Sequence, residues 1–300
     1  MREKLLGLAR LARPANLPTA AADIFAGAAL ALWVNGGGVQ SFLMANGISW
    51  ALLVLASILL YAGGVVFNDV FDADLDAVER PERAIPQGVV SIQEAIAWGC
   101  ILMIAGNVLA FLASPMSGVL ALVLSAAIIT YDAVAKNHGF FGPLAMGVCR
   151  GLNLILGMSV IAVMSPIWYL SLVPVVYIFA ITLISRGEVH GNNKAHIVWA
   201  GGLFLTVAAA MLLAIMHLGA HVLPALPFLG FFLFMVLRPL MGAHRDNSPK
   251  KIKKAVISGV LALIVMDACW VAGFADWTLA LPVLLLLPLS LWLSKLFAVT

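Results

Sequence analysis

The sequence predicts an all-α integral membrane protein, a bundle of nine to ten transmembrane helices. The composition is 63% hydrophobic and 10% charged, with a mean hydropathy of +1.06, outside the range of soluble proteins. Apolar runs of about 20 residues, the length that crosses a bilayer, recur along the chain. Lysine and arginine are concentrated in alternate loops. We therefore expect one membrane domain over residues 1–300.

Polar, glycine and proline clusters divide the chain into candidate spans. Ten is the count we predict, and nine stays open if the last segments cross only half of the bilayer. The spans lie near residues 15–34, 48–67, 92–113, 117–131, 143–163, 167–185, 196–216, 223–240, 254–274 and 278–297. The residues before them, 2–12, predict a short amphipathic helix in the membrane interface.

The distribution of positive charge predicts which face each loop occupies. With a cytoplasmic N-terminus, the loops 68–91, 132–142, 186–195 and 241–253 share one face. Fourteen of the 17 Lys and Arg residues lie in the N-terminal segment, in these loops or at Lys254 directly after them, and the opposite loops hold none. This bias predicts a multi-pass cell-membrane protein with its N-terminus and Asp-rich loops in the cytoplasm. The net charge is +3, and we expect its basic residues to face the lipid bilayer. We do not expect the protein to bind nucleic acid.

A stretch directly after the second candidate span, NDVFDADLDAVERPER, holds six of the 14 acidic residues. Asn68, Asp72 and Asp76 are spaced by four, which on a helix drifts by only about 40° per step, and Asp69 lies about 100° from Asn68. Asp74 points away from this stripe. Neighbouring carboxylates repel one another unless a cation lies among them, and hard oxygen ligands suit Mg²⁺ with a substrate phosphate. We interpret the stripe as a Mg²⁺ site; a solvated acidic loop is the alternative.

Basic residues on the same face predict ligands for phosphate oxygens. Arg83 follows the acidic stretch, and Lys136 and Arg186 lie in the next two loops of this face. Guanidinium and ammonium groups bind phosphate through charge-assisted hydrogen bonds. The residue types therefore predict a site for a magnesium-bound phosphate compound at the membrane boundary.

Five segments together resemble the UbiA superfamily of membrane prenyltransferases. They read NDVFDADLD, RPERAIPQGVVS, RPANLPTAAADIFAGA, YDAVAKN and GPLAMGVCRGLNLILG, and they cover the first two thirds of the chain. Within the superfamily the chain looks most like the EboC-type branch. The resemblance implies a helical bundle of about nine spans around a central, laterally open cavity. It also implies Mg²⁺-dependent transfer of an isoprenyl group from its diphosphate to an acceptor.

That resemblance implies roles for several of the predicted site residues. Asp72 and Asp76 would clamp Mg²⁺ and so neutralise the leaving diphosphate as the allylic C–O bond breaks. Lys136 would hold phosphate oxygens. The residues alone add Tyr131, beside Asp132, whose ring face either stabilises the resulting carbocation or only packs against neighbouring helices.

The loop after the sixth span departs from the family pattern. Family members usually carry a second Asp-rich motif there, whereas this chain reads SRGEVHGNNK with Glu188 as its only acid. Either Glu188 completes one metal site, or Arg186, His190, Asn192 and Asn193 bind the acceptor or the diphosphate. A loop histidine without a partner at metal spacing favours a hydrogen-bonding role for His190.

Three charged residues fall inside apolar spans, where an ionised group costs about 2.5–3.5 kcal/mol and normally faces a cavity or a partner. Arg150, with Asn153 one turn on, either reaches the diphosphate or pairs with Asp23. Asp23 either orients or deprotonates the acceptor, or it holds helices together in that pair. For Asp267 we expect a structural role.

Other functions stay open at the level of sequence. CDP-alcohol phosphotransferases also place acidic motifs at a membrane face, but their Asp-Gly-x-x-Ala-Arg element is absent, since Ala-Asp-Leu-Asp follows Asp72. A transporter, or a catalytically degenerate relative that only binds its ligand, is the non-enzymatic alternative. Neither the acceptor nor the length of the prenyl chain follows from the residues.

Overall fold

A computed structural model describes residues 2–188 and 191–297, and every regular element in these ranges is helical. The thirteen α-helices follow one another with short connections. They are α1 (Arg2–Leu11), α2 (Leu17–Asn35), α3 (Val39–Phe71), α4 (Ala73–Glu79), α5 (Ile92–Ala113), α6 (Pro115–Ala133), α7 (Phe141–Met158), α8 (Leu172–Ser185), α9 (Lys194–His217), α10 (Val222–Arg245), α11 (Pro249–Phe274), α12 (Trp277–Leu284) and α13 (Leu286–Leu296). Within the described ranges, ten segments are long and apolar enough to cross a membrane. The predicted fold class is therefore confirmed.

Two of the predicted spans differ most from the observed helices. The second was expected over 48–67, but α3 extends over 33 residues, about 50 Å at 1.5 Å per residue, so it is longer than the hydrocarbon core is thick. The last was expected as one helix, but α12 and α13 meet at Leu285. Pro288 lacks the N–H that would continue the hydrogen-bond ladder past this point.

The centre of the bundle is formed by α2 and α11, which are buried on nearly all sides. Fourteen of the 19 residues of α2 are buried, and α11 packs against α2, α8 and α10. A helix that is buried against protein on nearly all sides lies in the middle of a membrane bundle, while a lipid-facing helix buries only part of its surface, as the outer spans do. The core of the described residues therefore lies around these two helices.

Glycines allow α2 and α7 to approach closely. A Cβ added to Gly27 would lie 2.5 Å from the carbonyl oxygen of Leu154, and one added to Gly157 would lie 2.8 Å from the Cα of Ile24. Because a side chain at either position would collide with backbone, only glycine permits this spacing. This contact sets the distance between the first and fifth spans.

The positively charged loops meet on one face of the bundle. Lys136, after the fourth span, pairs with Asp72 after the second. Arg186, after the sixth span, donates a hydrogen bond to the carbonyl oxygen of Gly139. The side chain of Asn247, after the eighth, accepts a hydrogen bond from the backbone of the sixth loop at 2.7 Å. The common face that the charge bias indicates is thus present, and its cytoplasmic location stays a prediction.

Candidate active site

A cavity of about 380 Å³ lies inside the bundle, between α2, α3, α6, α7, α8 and α11. One end of the cavity is polar and lies at the face of the charged loops, where Arg13, Asn68 and Asp132 line it. Its walls further in are mostly apolar. They include Gly64, Leu124, Ile128, Met146, Cys149, Ile178, Val256, Val260 and Leu263. The cavity therefore offers one charged end and one hydrocarbon-like interior.

The last turn of α3 brings Asn68 to the charged end. The Asn68 side-chain amide donates to the carboxylate of Asp132 at 2.9 Å, and Arg13 approaches its oxygen at 3.5 Å. Asp132 is only 2% exposed, because α6 packs it against the end of α3. The three side chains come from three different spans, and together they form the polar lining.

Asp72 lies at the junction between α3 and α4, one helical turn beyond Asn68. Its backbone N–H bonds to the carbonyl oxygen of Asn68 at 3.0 Å, so the helix is almost continuous here and the predicted spacing is kept. Its carboxylate lies 2.5 Å from the ammonium of Lys136, whose side chain is largely buried, and 24% of the Asp72 side chain is exposed. Lys136 also lies 5.9 Å from the ring centre of Phe71. The two predicted catalytic residues therefore contact each other next to the cavity.

Asp69 and Asp76 turn toward arginines rather than toward the central cavity. One Arg83 nitrogen lies 3.1 Å from the Asp69 carboxylate and 2.5 Å from that of Asp76. Arg13 pairs with Asp69 as well. Asp74, which was expected to point away, is exposed. The predicted stripe is thus split between a cavity-facing part and an arginine-bound part.

The residues at the charged end fit a magnesium ion that is shared with a substrate phosphate. Among the described residues, no three acidic, histidine or cysteine side chains stand close enough together to hold a metal by themselves. Mg²⁺ usually takes only one or two protein carboxylates and completes its shell with water and phosphate oxygens. Asn68, Asp72 and Asp132 supply hard oxygen atoms within one turn of each other or in direct contact. They are the residues that would hold such an ion.

Among the described residues of the loop after the sixth span, Glu188 lines the cavity. Burial raises the pKa of this carboxyl, and the positive charges of Lys253 and Arg80 oppose the rise. Arg186 is exposed and bonds to a loop carbonyl outside the cavity. His190, the remaining predicted ligand of this loop, lies outside the described residues.

Asn193 holds the same loop in place. Its side-chain amide donates to the carbonyl oxygens of Leu183 and Ile184, at 3.0 Å each, and its backbone N–H donates to Asn247. Asn192 is exposed, with a left-handed backbone at φ 53°. The asparagines therefore shape the loop, and neither lines the central cavity.

Deeper in the bundle, Arg150 links two buried carboxylates. Its Nε lies 2.7 Å from Asp23 and one terminal nitrogen lies 3.9 Å from Asp267, with both acids almost completely buried. Arg150 also donates to the hydroxyl of Thr19 at 3.2 Å and to its carbonyl oxygen at 2.5 Å. The structure thus brings together all three intramembrane charges that the sequence singles out.

Asn153 completes this inner cluster. It donates to Asp23 at 2.7 Å and accepts from the hydroxyl of Ser57 at 2.7 Å. Arg150, Asn153 and Ser57 line the cavity, whereas Asp23 lies behind them and does not. Tyr131, predicted for the path of the carbocation, lines the cavity near its charged end.

Sequence reasoning missed two members of the site, Arg13 and Asp132. Asp132 precedes Lys136 by four residues in YDAVAKN, a spacing that places both side chains on one side of a helix. Arg13 is the last cation before the first span, so it had to lie at the same membrane face as the acidic stretch. Both signals were present, but only the fold shows that these residues contact Asn68.

Comparisons with known proteins show the family of this chain. A model of the UbiA prenyltransferase family matches residues 24–257. A digeranylgeranylglyceryl phosphate synthase of Saccharolobus solfataricus is 32% identical over 253 residues, covering 75% of this chain and 86% of that protein. The synthase of Methanococcoides burtonii is 37% identical over 109 residues, covering 36% of this chain and 39% of that protein.

Solved structures share the fold at low sequence identity. The apo structure of a UbiA homolog from Aeropyrum pernix K1 gives a TM-score of 0.64 at 16% identity, covering 83% of this chain and 97% of that one. A UbiA homolog from Archaeoglobus fulgidus, bound to GPP and Mg²⁺, gives 0.55 at 13% identity, covering 97% of this chain and 99% of that one. With most of its length matched by the family model, this chain belongs to the UbiA prenyltransferase family and is a membrane prenyltransferase.

Proposed function

We propose that this protein transfers an isoprenyl group from an allylic prenyl diphosphate to a small acceptor, in a Mg²⁺-dependent reaction within the membrane. The observation that carries the proposal is the charged end on a cavity whose other walls are mostly apolar. Asn68, Asp132 and Arg13 line that end, and hydrocarbon side chains of α6, α8 and α11 line the interior. A prenyl diphosphate has one highly charged end and one apolar tail, so it matches both parts of the cavity.

The charged end would bind the diphosphate. Asn68, Asp72 and Asp132 would hold Mg²⁺, which supplies positive charge against the leaving group. Lys136 and Arg13 stand beside them and can donate to phosphate oxygens, because the cation would take over Asp72 from Lys136, and Asp69, the partner of Arg13, also pairs with Arg83. A diphosphate entering with its metal thus exchanges ion-pair partners without leaving a charge unpaired.

The interior of the cavity would favour transfer over hydrolysis. When the allylic C–O bond breaks, its electron pair leaves with the diphosphate, and the carbocation bonds to the nucleophilic atom of the acceptor. The apolar wall excludes water, which would otherwise capture the cation. The ring of Tyr131, which lines the cavity, stabilises the positive charge during this step.

A carboxylate must accept the proton that the acceptor loses. Asp132 and Glu188 are the acids that line the cavity within the described residues, and because Asp132 would hold Mg²⁺, we assign the proton to Glu188. Burial raises the pKa of Glu188, which brings its basicity closer to neutral pH. Asp23, expected for this role from sequence, lies behind the wall, and we propose that it orients Arg150 and Asn153 instead.

Similarity to characterised relatives supports a first candidate for the acceptor. The relatives are named for a product in which glyceryl phosphate carries two geranylgeranyl groups. We propose a singly prenylated glyceryl phosphate as the acceptor to test first, with phenols, tetrapyrroles, haem and polyols as alternatives. Membership of the EboC-type branch and the cytoplasmic position of the charged loops stay predictions.

The test uses purified full-length protein in detergent with radiolabelled geranyl, farnesyl or geranylgeranyl diphosphate. We expect binding that requires Mg²⁺, and a labelled lipid product when geranylgeranylglyceryl phosphate is added, identified by its mass. Replacing Asp72 by Ala should abolish both. Binding that persists without metal and with Asp72 and Asp76 both replaced would contradict the proposal. Metal-dependent binding without product from any acceptor would indicate a degenerate relative.

A further inference from the structure

A second cavity, of about 510 Å³, lies on the same face of the bundle but outside the central one. It is enclosed by α1, the turn at Pro14–Asn16, the loop after α4 and the end of α13. The hydroxyl of Ser290 on α13 donates to the carbonyl oxygen of Ala15, which fastens the last span to this turn. We call this space the surface cavity.

The surface cavity is lined by an excess of positive charge. Arg10, Arg13 and Arg83 contribute three guanidinium groups, against the carboxylates of Asp69 and Glu82. Asp69 already pairs with both Arg13 and Arg83. Arg10 forms no ion pair with any residue in the described part of the chain, although it is exposed and borders the cavity. A cationic group therefore remains available for an anionic ligand.

Apolar side chains form the rest of the lining. Leu11 is the last residue of α1, Pro14 opens the turn before α2, Val89 belongs to the loop after α4, and Phe297 follows α13. Gln87 and Ser294 add uncharged polar groups to the lining. The neighbouring surface is also apolar, since α1 exposes leucines and α13 exposes leucine and tryptophan side chains. An anion held here would thus be flanked by hydrocarbon.

We propose that the surface cavity binds the phosphate headgroup of a membrane lipid. Three guanidinium groups and an amide offer the donors that a phosphate accepts, and the apolar surface of α13 accommodates acyl chains. The position suits a lipid, because α1 lies where the chain enters its first span and the charged loops mark the boundary of the bilayer. The bound lipid would contact α1, the Asp-rich segment and the last span at the same time.

The experiment titrates the purified protein, in neutral detergent, with dioleoyl phosphatidic acid and counts bound lipid by native mass spectrometry. Arg10→Gln removes the free guanidinium, and Ser294→Trp fills the cavity without changing charge. Each should weaken binding by about tenfold, the effect of losing one charge-assisted contact. Arg245→Gln, an exposed arginine elsewhere on the same face, is the matched control and should change binding by less than about twofold.

Three further arms identify the ligand and the site. Dioleoylglycerol, which has the same chains and no phosphate, should not bind, and inorganic phosphate should not displace the lipid. Asp72→Asn should leave lipid binding unchanged, because it alters the central cavity only. Equal losses in Arg10→Gln and Arg245→Gln, no loss in Arg10→Gln and Ser294→Trp, or displacement by inorganic phosphate would each overturn the proposal.

Discussion

Charged side chains gather at two levels of this bundle, and their surroundings differ. At the membrane face, Asp72 pairs with Lys136, and about a quarter of the Asp72 side chain is exposed. Inside the bilayer, Arg150 lies between Asp23 and Asp267, and the two acids are almost completely buried. Pairs at the face can exchange partners with an incoming ligand, whereas the inner cluster has no solvent to replace a lost partner. The first arrangement is suited to binding substrate and to catalysis, and the second is suited to stabilising the fold.

The inner cluster should show the largest effect on stability. Arg150→Leu leaves two buried carboxylates without their cation, and removing one partner of a buried pair typically costs about 3–5 kcal/mol. We expect a marked fall in the midpoint of thermal unfolding, measured in detergent by intrinsic fluorescence. Adding Asp23→Asn and Asp267→Asn should recover part of that fall, because it removes the stranded charges.

The matched control for that change is Arg186→Leu, which removes an exposed arginine from the loop after the sixth span. It should cost less than about 1 kcal/mol, as surface changes usually do. If both arginine variants unfold at the same temperature as the unaltered protein, the inner cluster is not the architectural element that we describe.

At the membrane face, the effect should fall on catalysis rather than on folding. Asp72→Asn keeps the shape and removes the charge that faces metal and Lys136. We expect kcat/KM for the prenyl diphosphate to fall by about 10²–10³-fold, the range seen when one electrostatic contact of a transition state is lost. Asp74→Asn, exposed and two residues away, should be nearly silent. Equal losses in the two variants would point to general surface charge instead.

Replacing Asp132 should have a smaller effect, on the Mg²⁺ requirement. This effect would distinguish Asp132 from Asp69 and Asp76, the carboxylates that pair with arginine. Asp132 accepts a hydrogen bond from Asn68, so Asp132→Asn disturbs both the metal ligands and their orientation. The Mg²⁺ concentration for half-maximal activity should rise by about tenfold or more, as for other changes around metal ligands. Measuring activity against Mg²⁺ concentration checks this. An unchanged Mg²⁺ requirement, with activity reduced at all concentrations, would remove Asp132 from the metal site.

The smallest effect should be a change in pH dependence. Because burial raises the pKa of Glu188, its ionised form is lost at a higher pH than for an ordinary glutamate as the solution is acidified. If the ionised carboxylate accepts the proton of the acceptor, activity falls over that window. Glu188→Gln should be less active at neutral pH, by up to about tenfold, and flatter across the window. Parallel pH profiles for the two proteins would exclude this role.

The sequence predicted the spans, the common face of the charged loops and the acidic stripe, because each depends on residues close together in the chain. It gave the pairing of Asp23 with Arg150 as one of two alternatives, but it did not predict which cation each carboxylate meets at the membrane face. Asn68 and Asp132 are 64 residues apart, and Arg13 and Asp69 are 56 apart, so only the packing of helices brings them together. The division of the stripe between cavity and arginines has the same origin, since Arg83 folds back from the following loop.

The helix boundaries that differed have local causes. Residues 39–47, VQSFLMANG, were predicted as part of a loop, yet they extend α3 because no proline or turn interrupts them. The last span contains two prolines, Pro282 and Pro288, and the helix is interrupted between them at Leu285. The hydrophobic run is continuous across this position, so hydropathy does not show the interruption. Hydropathy measures how long a segment is apolar, and it is insensitive to where the backbone stops being helical.

The glycine contact between α2 and α7 bears on how this cavity can change during evolution. Gly27 and Gly157 fix the spacing of the two helices that carry Asp23 and Arg150, so that wall tolerates almost no increase in side-chain volume. New substrates must therefore be accommodated by the facing wall, where Ile178 or another aliphatic residue can change size without moving a charge. As the substrate range changes, the residues of the facing wall should vary, and those of the wall formed by α2 and α7 should stay constant.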